Sequence, residues 1–263
     1  NFPMMIGAWK LGPALAMGNS VVLKPSETAS LSLMRMCALA LEAGLPAGVL
    51  NAVTGEGAVV GEVMGLSMDV DVLVFTGSGG TGRRLMEYAA RSNMKRVYLE
   101  LGGKSPNIIF ADAPNLDEAA KVAAGGIFRN SGQVCVAGSR LLVEASIHDD
   151  FVAAVAKATE GMRVGDPLDL TTAIGAVNSE IQLNQNLGFV ETAVTEGGEV
   201  VLGGTRILQD TGGYYMAPTI VTGVTPEATL AQKEVFGPVL GVTPFTSDDE
   251  AVGIANSTVY GLA

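Results

Sequence analysis

From Asn19 to Leu101, short β-branched runs alternate with helical patterns, and this alternation restricts the fold more than any other feature of the chain. Asn19–Lys24 (NSVVLK) is closed by Pro25, and Ser26–Ser30 offer caps for a helix that ends at Gly44, with Pro46 beyond. A strand at Val49–Val53, a helix at Ala58–Met64, a strand at Val70–Phe75, a helix at Gly82–Arg91 and a strand at Val97–Leu101 follow. Strands separated by crossover helices pair in parallel and bury both faces, so the pattern predicts an α/β fold with a doubly wound parallel sheet. Ligands in such sheets sit at the carboxyl ends of the strands. Here those ends are Lys24-Pro25-Ser26-Glu27, Thr54-Gly55, Thr76-Gly77-Ser78 and Glu100-Leu101-Gly102-Gly103.

After Pro106 the texture changes. Asn107–Phe110 reads as a strand, Leu116–Phe128 as a helix, Leu141–Val143 as a strand, and Asp149–Thr159 as an amphipathic helix. A helix around Ile181–Thr195, strands near Glu199–Leu202 and Thr219–Val224, and the loop Lys233–Val239 before another strand complete the chain. A second α/β domain is expected to start near Gly103, which gives a cofactor-type domain over 1–102, a second domain over 103–263, and a cleft between them. The chain opens on Asn1 and stops at Ala263 without a polar tail, and it reads as the middle of a longer protein.

Composition removes several function classes. With 48% hydrophobic and 16% charged residues over 263 positions, the chain belongs with globular proteins rather than disordered ones. A net charge of −11 argues against nucleic-acid and anionic-membrane partners, and no apolar run approaches the ~20 residues of a membrane span. Two cysteines without regular spacing make neither a disulfide framework nor a zinc cluster, and they suit a reducing, cytoplasmic setting.

Cys37 lies in LSLMRMCALALEAG on the apolar face of a helix and reads as core packing. Cys135 differs: FRNSGQVCVAGSR sets it between a small-residue helix and a strand, in a turn from which sulfur can face a cleft, and it is the candidate nucleophile. Gly77-Ser78-Gly79-Gly80-Thr81-Gly82 satisfies GxGxxG after a strand and before a helix, a context in which backbone amides and the helix dipole meet a pyrophosphate. The usual rule then assigns the acid about 20 residues on, Glu100, to the ribose hydroxyls. Glu100 stands instead before Gly102-Gly103, where a carboxylate beside bare backbone can act on a water or a thiol. His148, ahead of a helix, carries no role.

Taken together, NFP at Asn1, KPSE at Lys24–Glu27, FTGS at Phe75–Ser78, LELGGKSP at Leu99–Pro106, NSGQVC at Asn130–Cys135 and EVFGPV at Glu234–Val239 resemble the aldehyde dehydrogenase superfamily along the whole chain. The resemblance implies oxidation of an aldehyde to an acid with NAD, in a parent chain that forms a homodimer or homotetramer. It implies that the Cys135 thiolate attacks the carbonyl. Asn1 and the Cys135 amide would hold the oxyanion, a donor of that kind being worth about 2.7–4 kcal/mol. Glu100 would activate the water that hydrolyses the thioester. Lys24 and Glu27 match the pair that holds the adenosine ribose, where Glu27 repels a 2′-phosphate and favours NAD over NADP. Gly77 and Ser78 match the pyrophosphate turn, and Glu234 and Phe236 the nicotinamide ribose and ring. Phe2, Ile6 and Trp9 correspond to a substrate tunnel, although an apolar helix facing the core explains them as well.

SNMKRVYLELGGKSPNIIFADAPNLDEAA and GQVCVAGSRLLVE look most like the branch that acts on γ-glutamylaminobutyraldehyde and related ω-amino aldehydes. A CoA-acylating semialdehyde dehydrogenase would keep Cys135 but usually lacks the basic glutamate. The remaining alternative is a truncated piece much less active than its parent.

Overall fold

The computed structural model describes residues 1–263, which divide into two compact units, Asn1–Leu101 and Gly102–Ala263. The first runs α1 (Pro3–Ala16), β1 (Val21–Leu23), α2 (Leu31–Glu42), β2 (Leu50–Ala52), α3 (Gly57–Leu66), β3 (Val72–Thr76), α4 (Gly79–Ala90) and β4 (Arg96–Glu100). The strand-helix alternation is as the sequence predicts, with boundaries moved by one to three residues. β1 pairs with β2 and β3 with β4, both in parallel, so each helix between paired strands is a crossover. The four strands form two separate ladders rather than one continuous sheet. Residue pattern specifies a crossover between successive strands, but it does not specify which strand edges close on each other.

The core of this unit is modest: Leu11, Cys37 and Leu50 are buried together, and Cys37 is the packing residue its helical spacing indicates. A second device is polar. Lys95, ahead of β4, donates from Nζ to the carbonyl oxygens of Gly65 (2.5 Å) and Ser67 (2.9 Å) and to Ser92 Oγ (2.9 Å). It thereby ties the end of α3, whose last carbonyls have no partner within the helix, to the chain that enters β4.

The second unit begins with β5 (Pro106–Ile109), α5 (Leu116–Phe128), β6 (Arg140–Glu144), α6 (His148–Glu160) and α7 (Glu180–Thr195). It continues through β7 (Glu199–Leu202), β8 (Arg206–Ile207), β9 (Tyr215–Met216), β10 (Thr219–Thr222), α8 (Thr229–Gln232), β11 (Val239–Phe245) and α9 (Asp248–Ala255). Five strands form one sheet in the order β5-β6-β11-β10-β7, parallel except for β7 at the edge, and β8 and β9 make a small hairpin. The central strands are buried on both faces, as parallel strands must be: Leu141, Leu142 and Val143 of β6 and Val239 and Val242 of β11 have no exposed surface. Phe128, Phe151 and Val155 from α5 and α6 close one face. Each such side chain contributes roughly 1.5–3 kcal/mol by leaving water.

Helix starts follow local chemistry. Asn115, Ser179 and Ser247 cap α5, α7 and α9 by accepting from the backbone N–H three residues on, and acidic residues in each first turn meet the positive end of the helix dipole. Arg140 is buried and donates at 2.8 Å to the carbonyl oxygens of Lys104, Ile254 and Ala255, joining β6 to the segment before β5 and to the end of α9. No helix is long and apolar enough to cross a membrane.

Candidate active site

In the first unit, Lys24 and Glu27 follow β1 and stand against the start of α3. Lys24 Nζ lies 3.0 Å from Glu27 Oε2, and Glu27 Oε1 accepts the backbone N–H of Gly57, the first residue of that helix. The Glu27 carboxyl is held below its usual value first by a hydrogen bond it accepts from its own backbone N–H; burial opposes this, and Lys24 and the Gly57 amide add to the lowering. A Cβ at position 57 would lie 3.4 Å from Glu27 Oε1 and 3.7 Å from Lys24 Nζ, in ordinary van der Waals contact with the pair. The pair is a charged fork at a helix N-terminus, with Lys24 mostly enclosed and the Glu27 side chain 48% exposed.

Gly77 and Ser78 occupy the turn from β3 to α4. Ser78 is the N-cap of α4, accepting from Thr81 N at 3.3 Å and sharing a hydrogen bond with Thr81 Oγ1 at 3.0 Å. The helix starts at Gly79, three residues earlier than its polar pattern suggests, so Gly79, Gly80 and Gly82 are helical, and no glycine of this run uses left-handed backbone. Two of them serve packing instead: a Cβ at Gly77 would lie 2.5 Å from the Phe75 ring, and one at Gly82 would lie 2.8 Å from Leu101 Cδ2.

Glu100 ends β4 in register with Thr76 at the end of β3, and its carbonyl accepts from Gly77 N at 3.1 Å. One residue at this strand end has no part in the sequence reading. Lys10, the lone charge in the apolar α1, donates from Nζ to Thr76 Oγ1 at 2.6 Å. Burial lowers its pKa and the negative charge of Glu100 raises it, so the ammonium and the carboxylate share one electrostatic environment. A single lysine in a 14-residue apolar helix was the available signal. Asn1 is exposed immediately before α1, where Phe2 takes left-handed backbone (φ 42°). Trp9 is 63% exposed, so an apolar helix packed on its core does not explain that residue.

In the second unit, α5 delivers the chain into a tight turn at Arg129–Gly132. Asn130, Ser131 and Gly132 all have positive φ. The turn is held by Ser131 Oγ, donating to Gly175 O at 2.8 Å, and by Asn130 Nδ2, donating to Gln133 O at 3.0 Å. Left-handed backbone costs nothing at Gly132 but is costly at the two non-glycine residues, Asn130 and Ser131, where it persists because the surroundings dictate it. Cys135 follows, half-buried, before β6. A Cβ on Gly103 would lie 2.2 Å from the Cys135 carbonyl oxygen, and one on Gly132 would lie 2.1 Å from Gly237 O. The glycines thus bring three loops into backbone contact: Gly102–Gly103, the cysteine turn, and the segment with Phe236 and Gly237.

Glu234 and Phe236 belong to that third loop. Glu234 Oε1 accepts from Gly103 N at 3.2 Å, and its carboxylate is pressed onto Gly102, where a Cβ would come within 2.1 Å of Oε2. Burial raises the Glu234 pKa, while the Gly103 amide and Lys104 oppose the rise. Phe236 is half-buried with φ 56°, and Gly237 beyond it packs against the Asn186 side chain. Strand ends in one unit thus carry Lys24, Glu27, Gly77, Ser78 and Glu100, and the other unit carries Cys135, Glu234 and Phe236 on loops that touch.

The family whose pattern matches residues 1–263 is the aldehyde dehydrogenase family. The chain belongs to it.

As an aldehyde dehydrogenase chain it is 48% identical over 262 residues to an NADP/NAD-dependent aldehyde dehydrogenase, PuuC, of Escherichia coli. The match takes in 100% of this chain and 52% of that protein. Among solved structures it is similar to an indole-3-acetaldehyde dehydrogenase, AldA, of P. syringae in complex with NAD+ and IAA, at 53% identity and a TM-score of 0.97 over 99% of this chain and 52% of that one. It is similar to the same extent to a gamma-glutamyl-gamma-aminobutyraldehyde dehydrogenase of Burkholderia cenocepacia, at 52% identity and a TM-score of 0.96, with 99% and 52% covered. The α/β fold of these neighbours is the fold of this chain. The chain spans about half the length of the relatives it matches.

Proposed function

We propose that the protein carrying this chain oxidises an aldehyde to a carboxylic acid with NAD. The observation that carries the reading is the Cys135 turn, a strained loop whose backbone is pinned by Gly103 while the adjoining amide holds Glu234. A cysteine needed only for packing requires no such frame. Family membership supports the same reading.

In this reading unit 1 is the cofactor domain and unit 2 the catalytic domain. Lys24 and Glu27 hold the adenosine-side ribose, the N-terminus of α4 with Gly77 and Ser78 takes the pyrophosphate, and Glu234 and Phe236 hold the nicotinamide ribose and ring. Bound there, NAD supplies the hydride acceptor. The Cys135 sulfur forms a bond to the aldehyde carbon while Asn1 and the Cys135 amide stabilise the oxyanion. Loss of hydride from the former aldehyde carbon to the acceptor that bound NAD would supply leaves a thioester; Glu100 then takes a proton from water, hydroxide adds to the acyl carbon, and the Cys135 thiolate leaves. Glu27 beside the ribose 2′ position favours NAD over NADP by charge repulsion. The substrate class is an ω-amino aldehyde of the γ-glutamylaminobutyraldehyde type, supported by likeness to a dehydrogenase named for that compound. The protein is cytoplasmic and works as a homodimer or homotetramer.

Cys135→Ala in the full-length protein is expected to abolish aldehyde-dependent NADH formation while NAD still binds. Glu100→Gln is expected to give a single burst of NADH and then stall at the thioester. Sustained turnover by Cys135→Ala would remove the cysteine from the mechanism, and acyl-CoA as the product would replace water with CoA as the second nucleophile.

A further inference from the structure

Two cationic side chains are enclosed in the second unit, and only one of them has an evident structural use. Arg140, 3% exposed, gives its guanidinium hydrogens to three backbone carbonyls. Lys104, 1% exposed, lies in the segment before β5 whose carbonyl Arg140 holds, yet its own Nζ meets no hydrogen-bond acceptor. Enclosing an ammonium without a hydrogen bond is among the more expensive arrangements a fold can contain, and a methionine of similar length would fill the space without that cost. The position therefore calls for an account in terms of charge.

The charges around Lys104 are few. Arg140 on β6 repels it, and Glu234, on the loop after α8, attracts it. Glu234 is the carboxylate that rests on the backbone just before Lys104: Gly103 N–H donates to it, and Gly102 has no Cβ because the carboxylate occupies that space. The Gly103 backbone in turn touches the Cys135 carbonyl. Three consecutive residues thus offer Glu234 a surface, a hydrogen bond and a positive charge.

We propose that Lys104 is a positioning residue whose enclosed Nζ supplies the charge that seats the Glu234 carboxylate on the Gly102–Gly103 backbone, and that through Glu234 it governs the grip on the nicotinamide-side ribose. This rests on the role given to Glu234 under the proposed function. Glu234 is half-buried, and burial favours its neutral form. A neutral carboxyl accepts a ribose hydroxyl more weakly than a carboxylate does. Lys104 opposes that neutralisation from within the protein, where solvent screens little.

The test is a cycle of Lys104→Met, Glu234→Gln and the double variant in the full-length protein, reading KM for NAD and kcat separately. Measured below about pH 7, where Lys104 is charged, Lys104→Met is expected to raise KM for NAD roughly tenfold, the weight of one hydrogen bond to a charged group. It is also expected to move the acid limb of kcat/KM for NAD upward by about one pH unit. In the Glu234→Gln background the same change is expected to add nothing to KM and to leave the limb in place. A Lys104→Met enzyme with unaltered KM for NAD, or an equal increment in both backgrounds, overturns the proposal. If Lys104→Met does not fold, Glu234→Gln alone decides. The melting temperature it loses is expected to be greater below about pH 7, where Lys104 is charged, than above about pH 9, where it is neutral. An equal loss at both overturns the proposal. If the unaltered protein reduces no NAD with any aldehyde, the functional reading fails instead, and the melting comparison still reports on the Lys104–Glu234 pair.

Discussion

Gly103 and Cys135 meet through their backbones: the α-carbon of one lies so close to the carbonyl of the other that a Cβ would stand 2.2 Å from the oxygen. The same glycine donates its N–H to Glu234 at 3.2 Å. One residue without a side chain therefore sets the path of the Cys135 loop and the seat of the Glu234 carboxylate.

Gly103→Ala should displace both. The obstacle is backbone, which cannot swing aside as a flexible side chain does, so the cost is expected at or above the roughly 1–3 kcal/mol typical of overpacking. Activity is expected to fall by more than the melting temperature implies, because the thiol's loop moves. Parallel measurement of kcat and thermal unfolding checks this; a variant that melts lower yet retains native kcat would show that the contact serves stability alone.

Glu27 sets a charge fork at the start of α3. Glu27→Gln keeps an acceptor and removes the negative charge that, under the proposed function, would repel a 2′-phosphate. The ratio of kcat/KM for NADP to that for NAD is expected to rise about tenfold, or 1.4 kcal/mol. An unchanged ratio would place the discrimination elsewhere.

Lys95 holds two carbonyl oxygens and a hydroxyl in the first unit. Lys95→Met leaves the Gly65 and Ser67 carbonyls without that donor and should destabilise the protein by about 1–3 kcal/mol. Denaturant titration with an unchanged slope would report it as a pure loss of stability.

Lys104 should make stability depend on pH with a definite sign. Burial first, and then Arg140, push its pKa down from 10.5 to about 7, with Glu234 opposing. Between those values the unfolded chain binds the proton and the folded one does not, so this group makes stability rise with pH across the window, while below about pH 7 its full penalty is present. The advantage of Lys104→Met in melting temperature over the unaltered protein should therefore shrink as pH rises from 7 toward 10.5. A difference that is flat across that range would mean Lys104 is not depressed in the folded state.

The residues themselves determined the α/β alternation, the parallel crossovers and the short strings carrying Lys24, Glu27, Ser78, Cys135 and Glu234, whereas Ser30, expected as a cap, starts α2 without a side-chain hydrogen bond. These depend on local propensity, on hydrophobic period and on hydrogen bonds reaching three or four residues, all visible within a short window. Only the tertiary structure decided that the first four strands close as two pairs, that Gly79–Gly82 are helical rather than a loose turn, and that Lys10 shares a strand end with Glu100. It alone showed that Gly103 lies under both Cys135 and Glu234 and that Lys104 is enclosed beside them. Apart from the helix start, those relations join residues from 24 to 131 positions apart, and packing sets them by deciding which backbones approach closely enough to exclude a Cβ and which charges leave water.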